Sequence, residues 1–251
     1  MAEEQYVIPF TDLNLGRLNE VGGKNASLGE LIRDLTPLGV RVPGGFAVTA
    51  AAFRLHFAQQ HIDRWVYEQL AQLDLRDVTR LAEVGKTIRA RICSVPLPQS
   101  VVASIREAYR ALSKEHGTPN TDVAVRSSAT AEDLPNASFA GQQETYLNIS
   151  GEEQLLDAVR RCMASLFTDR AIVYRTERGF AHHDVALSVG VQKMVRSDLA
   201  GAGVIFTLDT ETGCRDVVMI TAAWGLGETV VQGRVSPDEY WVHKPTLRQG
   251  F

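Results

Sequence analysis

A chain of 251 residues with 45% hydrophobic and 22% charged side chains has enough apolar content to bury a sizeable core. Its formal charge of −4 gives no electrostatic ground for nucleic acid or an anionic membrane as principal partner. No uncharged run approaches the ~20 residues of a membrane span, and the start Met1-Ala2-Glu3-Glu4 has no apolar stretch behind it to make a secretory signal. The three cysteines, Cys93, Cys162 and Cys214, form no CxxC pair. They read as buried small hydrophobes in a reducing compartment, so the expected location is the cytoplasm.

In chain order, Val21 to Ser27 forms a glycine turn leading into a helix whose apolar face is Leu28, Leu31, Ile32 and Leu35. Gly39 to Phe46 reads as a turn or short strand, after which Thr49 caps a helix through Phe53 and Phe57. Two helical stripes follow: Val78, Leu81, Ile88 and Ile92, then Val102, Ile105, Tyr109 and Leu112. A short strand, Val123 to Arg126, delivers the polar run Ser127 to Thr130. Ser150 and Glu153 have capping-box spacing ahead of a helix through Leu155, Val159, Met163 and Leu166. From Ala186 the period drops to two, giving strands at Leu187–Val191, Gly203–Leu208, Val217–Ala223 and Glu239–His243. Helices first and strands later predict an α+β protein with a subdomain change around residues 185–195.

The segments with chemical potential are few. Gly22-Gly23 permits a tight turn whose amides can face an anion, and Lys24 adds a point charge. It is not a Walker A loop, because the glycine spacing is wrong and Asn25 stands where Ser or Thr is required. Arg126 ends an apolar strand before three hydroxyls and two acids, an arrangement that can hold phosphate oxygens bidentately or make a structural ion pair. Ser138 to Thr145 offers small residues, amides and a hydroxyl for a loop that closes over phosphates through its backbone N–H groups. Gln192, Lys193, Met194 and Val195 lie at the subdomain change, where backbone donors and acceptors suit an adenine edge and Met194 could pack on the ring. Trp224 to Glu228 follows an apolar strand but has Val230 where a dinucleotide fingerprint needs glycine. His182 and His183 read as an exposed loop, since adjacent extended residues point opposite ways and no zinc-ligand spacing is present.

Taken together, Val21–Glu30 (VGGKNASLGE), Val42–Ala47 (VPGGFA), Ala124–Asp133 (AVRSSATAED), Ser138–Thr145 (SFAGQQET) and Ala223–Glu228 (AWGLGE) occur in one order. With that order the chain resembles the N-terminal part of the phosphoenolpyruvate synthase (pyruvate, water dikinase) family, from its first residues to Pro245. The stretches Phe167–Ala171 and Val195–Leu199 favour the synthases over other dikinases. The resemblance implies an ATP-grasp nucleotide-binding domain, with a first subdomain at 1–190 and the start of a second, incomplete one at 191–251. It implies ATP and Mg²⁺ as ligands, with Lys24 and Arg126 as the triphosphate cations, Gly141 and Thr145 in the covering loop, Gln192 to Val195 at the adenine, and Glu228 as a ribose or pocket contact.

In that family ATP passes its β-phosphoryl group to a histidine on a mobile domain, and a separate barrel domain binds pyruvate. The Mg²⁺-binding acid and glutamine also lie in later strands. None of the six histidines here has a Thr-x-His context. The resemblance therefore implies a chain truncated at its C-terminal end, with the catalytic histidine and metal ligands outside it and no activity alone. A rifampicin-phosphotransferase-like dikinase and a non-catalytic nucleotide-binding module are the alternatives.

Overall fold

The computed structural model describes residues 4–130 and 144–250, which fall into two compact units, Met1–Met194 and Val195–Phe251. The first unit contains β1 (Val7–Pro9), α1 (Leu18–Leu35), β2 (Gly45–Val48), α2 (Ala50–Ala58), α3 (Ile62–Ala71), α4 (Val78–Ser94) and α5 (Gln99–Glu115). It continues with β3 (Val123–Ala129), β4 (Thr145–Ile149), α6 (Glu152–Ala164), α7 (Asp169–Glu177) and β5 (Leu187–Lys193). The strands pair in the order β1-β2-β5-β3-β4, antiparallel throughout.

Side chains alternate across this sheet and split the core in two. Phe46, Val48, Val123, Val125, Val189 and Val191 join the larger cluster with Phe53, Ile88, Ile105, Leu155 and Met163 of the helices. On the other face Ala47 joins Ile8, Phe10, Leu13, Val21 and Ala26, which places α1 there. The fold is α+β, as the order of periodicities indicates. No described helix is long and apolar enough to cross a membrane.

Several local expectations hold. Thr49 caps α2, its hydroxyl accepting from the Ala52 amide at 3.4 Å. The helical stripes bury Leu81, Ile88 and Ile92 in α4 and Ile105, Tyr109 and Leu112 in α5. Others are corrected. Helix α1 begins at Leu18, so Gly22-Gly23-Lys24 is a kink inside it and not a turn before it. Its buried face is Val21, Asn25, Ala26 and Gly29, while Leu31 is exposed. Small residues win because the helix lies too close for leucine: a Cβ on Gly29 would sit 2.3 Å from the Leu13 carbonyl oxygen. Ser150 and Glu153 form no capping box. Gly151, at φ 87°, occupies the N-cap and donates its N–H to the Tyr109 hydroxyl at 2.8 Å. Ser150 bonds to the Asn120 carbonyl and Glu153 pairs with Arg106. Of the cysteines, Cys162 is buried and Cys93 half-buried, but Cys214 is exposed, which corrects its expected burial.

The second unit holds β6 (Gly201–Phe206), β7 (Val217–Trp224), α8 (Gly227–Val231), β8 (Asp238–His243) and α9 (Lys244–Arg248). Its three strands form an antiparallel sheet, β6-β7-β8. Among its described residues no hydrophobic side chain is buried, and Trp224, Ile205 and Trp241 are 86%, 64% and 53% exposed. An apolar sheet so open favours self-association. Light scattering of the chain is expected to show a mass that rises with concentration and falls back toward monomer in Trp224→Ser/Trp241→Ser. A constant monomer mass would contradict this.

Candidate functional site

Strand β3 sets the site. Val123 and Val125 point into the larger core, so by alternation Ala124, Arg126 and Ser128 point to the α1 face. Residues directly opposite in a ladder share a face. Arg126 is opposite Gly190 of β5 on one side and Thr145 of β4 on the other. One step along the same face, Ala124 is opposite Gln192. Three of the expected residues, Arg126, Thr145 and Gln192, are therefore brought onto one surface by register alone.

Helix α1 brings the fourth. At Gly22 the backbone turns to φ 70°, ψ 164°, a conformation for which glycine is needed. The kink is pressed against β3: a Cβ there would meet Ser128 Oγ at 2.3 Å and the carbonyl oxygens of Ser128 and Ala129 at 2.7 and 2.8 Å. Helix resumes at Gly23, giving the later segment its own first turn, whose dipole favours an anion. Lys24, half-buried, projects from that turn. The half-buried Arg126 guanidinium is on the sheet face that α1 covers.

The remaining residues are placed differently. Gln192 donates Nε2–H to the Pro43 carbonyl at 3.1 Å, fastening β5 to the segment before β2. Lys193 is on the opposite face, its Nζ donating to the Met194 carbonyl at 2.9 Å. The amides of Lys193 and Met194 donate to the Gly44 and Asp122 carbonyls, both at 2.9 Å. An adenine edge at this segment must therefore use groups other than those two amides. Val195 opens the second unit and is exposed. Glu228 is exposed in α8 and accepts from Gln232 Nε2 at 2.8 Å. Gly141 lies outside the described residues.

Sequence reasoning missed the polar floor of this surface. Asn25 and Ser188 are buried there with Ser128 of the polar run already singled out, and Gly190 lies beside Asn25. A glycine inside an alternating strand signals close approach of another group, and that signal was available at Gly190. The expected exposed histidine loop is corrected at His182, which is half-buried and accepts from the buried Arg175 through Nδ1 at 3.1 Å. Among the described residues no three His, Cys, Asp or Glu side chains gather as a metal site. A cleft of about 480 Å³ is lined by Arg89, Tyr146, Arg161 and Arg170. It opens on the side of β4 away from Thr145, and two of its arginines are already paired, Arg89 with Asp169 and Arg161 with Asp157.

Residues 18–249 match the family described as pyruvate phosphate dikinase, AMP/ATP-binding domain, and the chain belongs to that family. It is 54% identical over 98% of its length to phosphoenolpyruvate synthase of Neisseria meningitidis serogroup B, covering 31% of that protein. Against phosphoenolpyruvate synthase of Escherichia coli K12 the figures are 54%, 96% and 30%, and against that of Helicobacter pylori 52%, 98% and 30%. The chain thus spans about a third of the length of the curated relatives it matches.

Proposed function

We propose that this chain captures Mg·ATP on the α1 face of the five-stranded sheet, with Lys24 and Arg126 as the cations that hold the triphosphate. The observation that carries this is the register that sets Arg126 between Thr145 and Gly190, beneath a kinked helix bearing Lys24. A triphosphate carries several negative charges on adjacent groups, and transfer requires them to be neutralised and held in line. A lysine point charge, a guanidinium fork and the first-turn amides after Gly22 are chemically suited to that task. Thr145 and Gly141 belong to the covering loop in this reading. Gln192 to Val195 provide the adenine wall, and Glu228 a further pocket contact, within an ATP-grasp arrangement of the subdomains 1–190 and 191–251.

In this reading Mg²⁺ arrives with the triphosphate, as part of the substrate. The larger reading is that the region serves a pyruvate, water dikinase in the cytoplasm. That enzyme makes phosphoenolpyruvate, AMP and phosphate from pyruvate, ATP and water, through a phosphohistidine and a pyruvate-binding domain outside this chain. The names of the relatives and the identity across nearly the whole chain support it.

Calorimetric titration with Mg·ATP tests the site. Lys24→Ala and Arg126→Ala should each weaken binding about 10- to 100-fold, the worth of one charge-assisted contact to phosphate. Binding of AMP should change far less. Unchanged ATP affinity in both variants, or no saturable binding by the wild type, would overturn the placement.

A further inference from the structure

We infer that Asn25 is the positioning residue that holds Lys24 and Arg126 in mutual register, an inference that rests on the nucleotide site proposed above. The kink at Gly22 interrupts α1 two residues before Lys24, and Asn25 bridges the break with its side chain. Its Nδ2 donates to the Val21 carbonyl at 3.0 Å, tying the two helical segments together. The other amide hydrogen goes to Ser188 Oγ at 3.0 Å, and Ser188 in turn donates to the Val48 carbonyl at 2.7 Å. One carboxamide thus fixes the turn carrying Lys24 to β5, and through Ser188 to β2.

The same group adjoins the glycine that faces Arg126. Asn25 fills the space above Gly190, where a Cβ would fall 2.3 Å from its Oδ1 and 3.6 Å from Arg126 Cγ. Gly190 is the cross-strand partner of Arg126. The carboxamide and the aliphatic stem of Arg126 thus both lie over Gly190, while the backbone of Asn25 adjoins Lys24. Asn25 is fully buried, yet among the described residues its Oδ1 accepts no hydrogen bond. Ser128 Oγ, beside the kink, is likewise buried and unpaired. Buried acceptors without donors cost stability. An apolar side chain would pack here at lower cost but could not tie Val21 to Ser188.

The test is a titration series of the chain with ATP and with AMP, each with Mg²⁺, using Lys24→Ala, Asn25→Ala, Ser188→Ala, Gly190→Ala and Asn25→Ala/Gly190→Ala. Positioning of the phosphate cations predicts that Asn25→Ala lowers ATP affinity about 10-fold while AMP affinity moves less than about 3-fold. Gly190→Ala should do the same by displacing Asn25. In the double variant the new methyl enters the vacated space, so its loss should match the single variants and not their sum. Ser188→Ala, a gentler change that unties the same group, should shift ATP affinity in the same direction should Asn25→Ala fail to fold. Equal losses for ATP and AMP, or additive losses in the double variant, would show a merely structural asparagine and overturn the inference. If Lys24→Ala weakens ATP binding while Asn25→Ala and Ser188→Ala do not, the inference alone falls. If Lys24→Ala changes nothing, the nucleotide site falls and takes the inference with it.

Discussion

Gly22→Ala is expected to destabilise the chain by about 2–6 kcal/mol and to abolish ATP binding with it. Two costs combine. The backbone at φ 70°, ψ 164° lies in a region that only glycine enters freely, and a side chain there costs about 1–3 kcal/mol. The added Cβ would also press into Ser128 Oγ at 2.3 Å and into two strand carbonyls at 2.7 and 2.8 Å. Side-chain oxygen can rotate away, but the carbonyls belong to β3 and cannot, and such overpacking costs a further ~1–3 kcal/mol. Against the ~5–15 kcal/mol that holds a typical domain, the sum is large.

The comparison that isolates the contact is Gly39→Ala. Gly39 also has positive φ, 86°, but a Cβ there would meet nothing within 4 Å. Its substitution should cost only the left-handed strain, about 1–2 kcal/mol. Urea midpoints at unchanged slope give both values. Equal losses for the two variants would mean that the pressure of the kink on β3 is not what fixes Gly22. Because the same pressure seats Lys24 over the Arg126 face, the binding loss should accompany the Gly22 variant and spare the Gly39 one.

That contrast marks how far the sequence could be read. Alternation at Leu187, Val189 and Val191 and the stripe through Ile105, Tyr109 and Leu112 announce their elements, because burial on one face imposes a period. Lys24 and Arg126 stand out as cations beside glycine or hydroxyls. What could not be read is register. Nothing local says that Arg126 faces Gly190 and Thr145, or that Asn25 drops into the gap above Gly190 from a residue 165 positions earlier in the chain. Helix α1 shows the same limit. Its leucines have helical spacing, yet Ala26 and Gly29 form the contact, since close approach to Leu13 outweighs hydrophobic bulk. The capping box at Ser150 and Glu153 failed for a long-range reason too, as the Tyr109 hydroxyl takes the Gly151 amide and Arg106 takes Glu153.

Arg175→Ala should cost about 3–5 kcal/mol, whereas Arg175→Met should cost about 1 kcal/mol or less. Arg175 is fully buried with no carboxylate partner among the described residues. Its guanidinium donates to the Leu166 carbonyl at 2.6 Å and to His182 Nδ1 at 3.1 Å, and lies 5.3 Å from the Phe167 ring centre. Nη2 has no hydrogen-bond partner. Truncation to alanine opens a void and leaves the Leu166 carbonyl without its donor, which sets the larger figure. Methionine fills much of the void and removes the desolvation cost of the charge, which offsets the lost hydrogen bonds. The pair also sets a pH response. Burial, and then the positive charge of Arg175, push His182 down from 6.5 to about 4 in the folded chain. His183 adds to that, while Tyr67, facing both Arg175 and His183 and flanked by Asp63 and Asp184, is kept protonated by burial. Between about pH 6.5 and 4 the unfolded chain therefore binds a proton that the folded chain refuses. The stability contributed by neutral His182 is full above pH 6.5 and is lost as pH falls toward 4. His182→Asn should flatten that part of the urea-midpoint profile, and an unchanged slope would show that the acid sensitivity arises elsewhere. Since His182 leads into β5, the strand that pairs with Arg126, acid should loosen the proposed nucleotide face from the end where β5 begins.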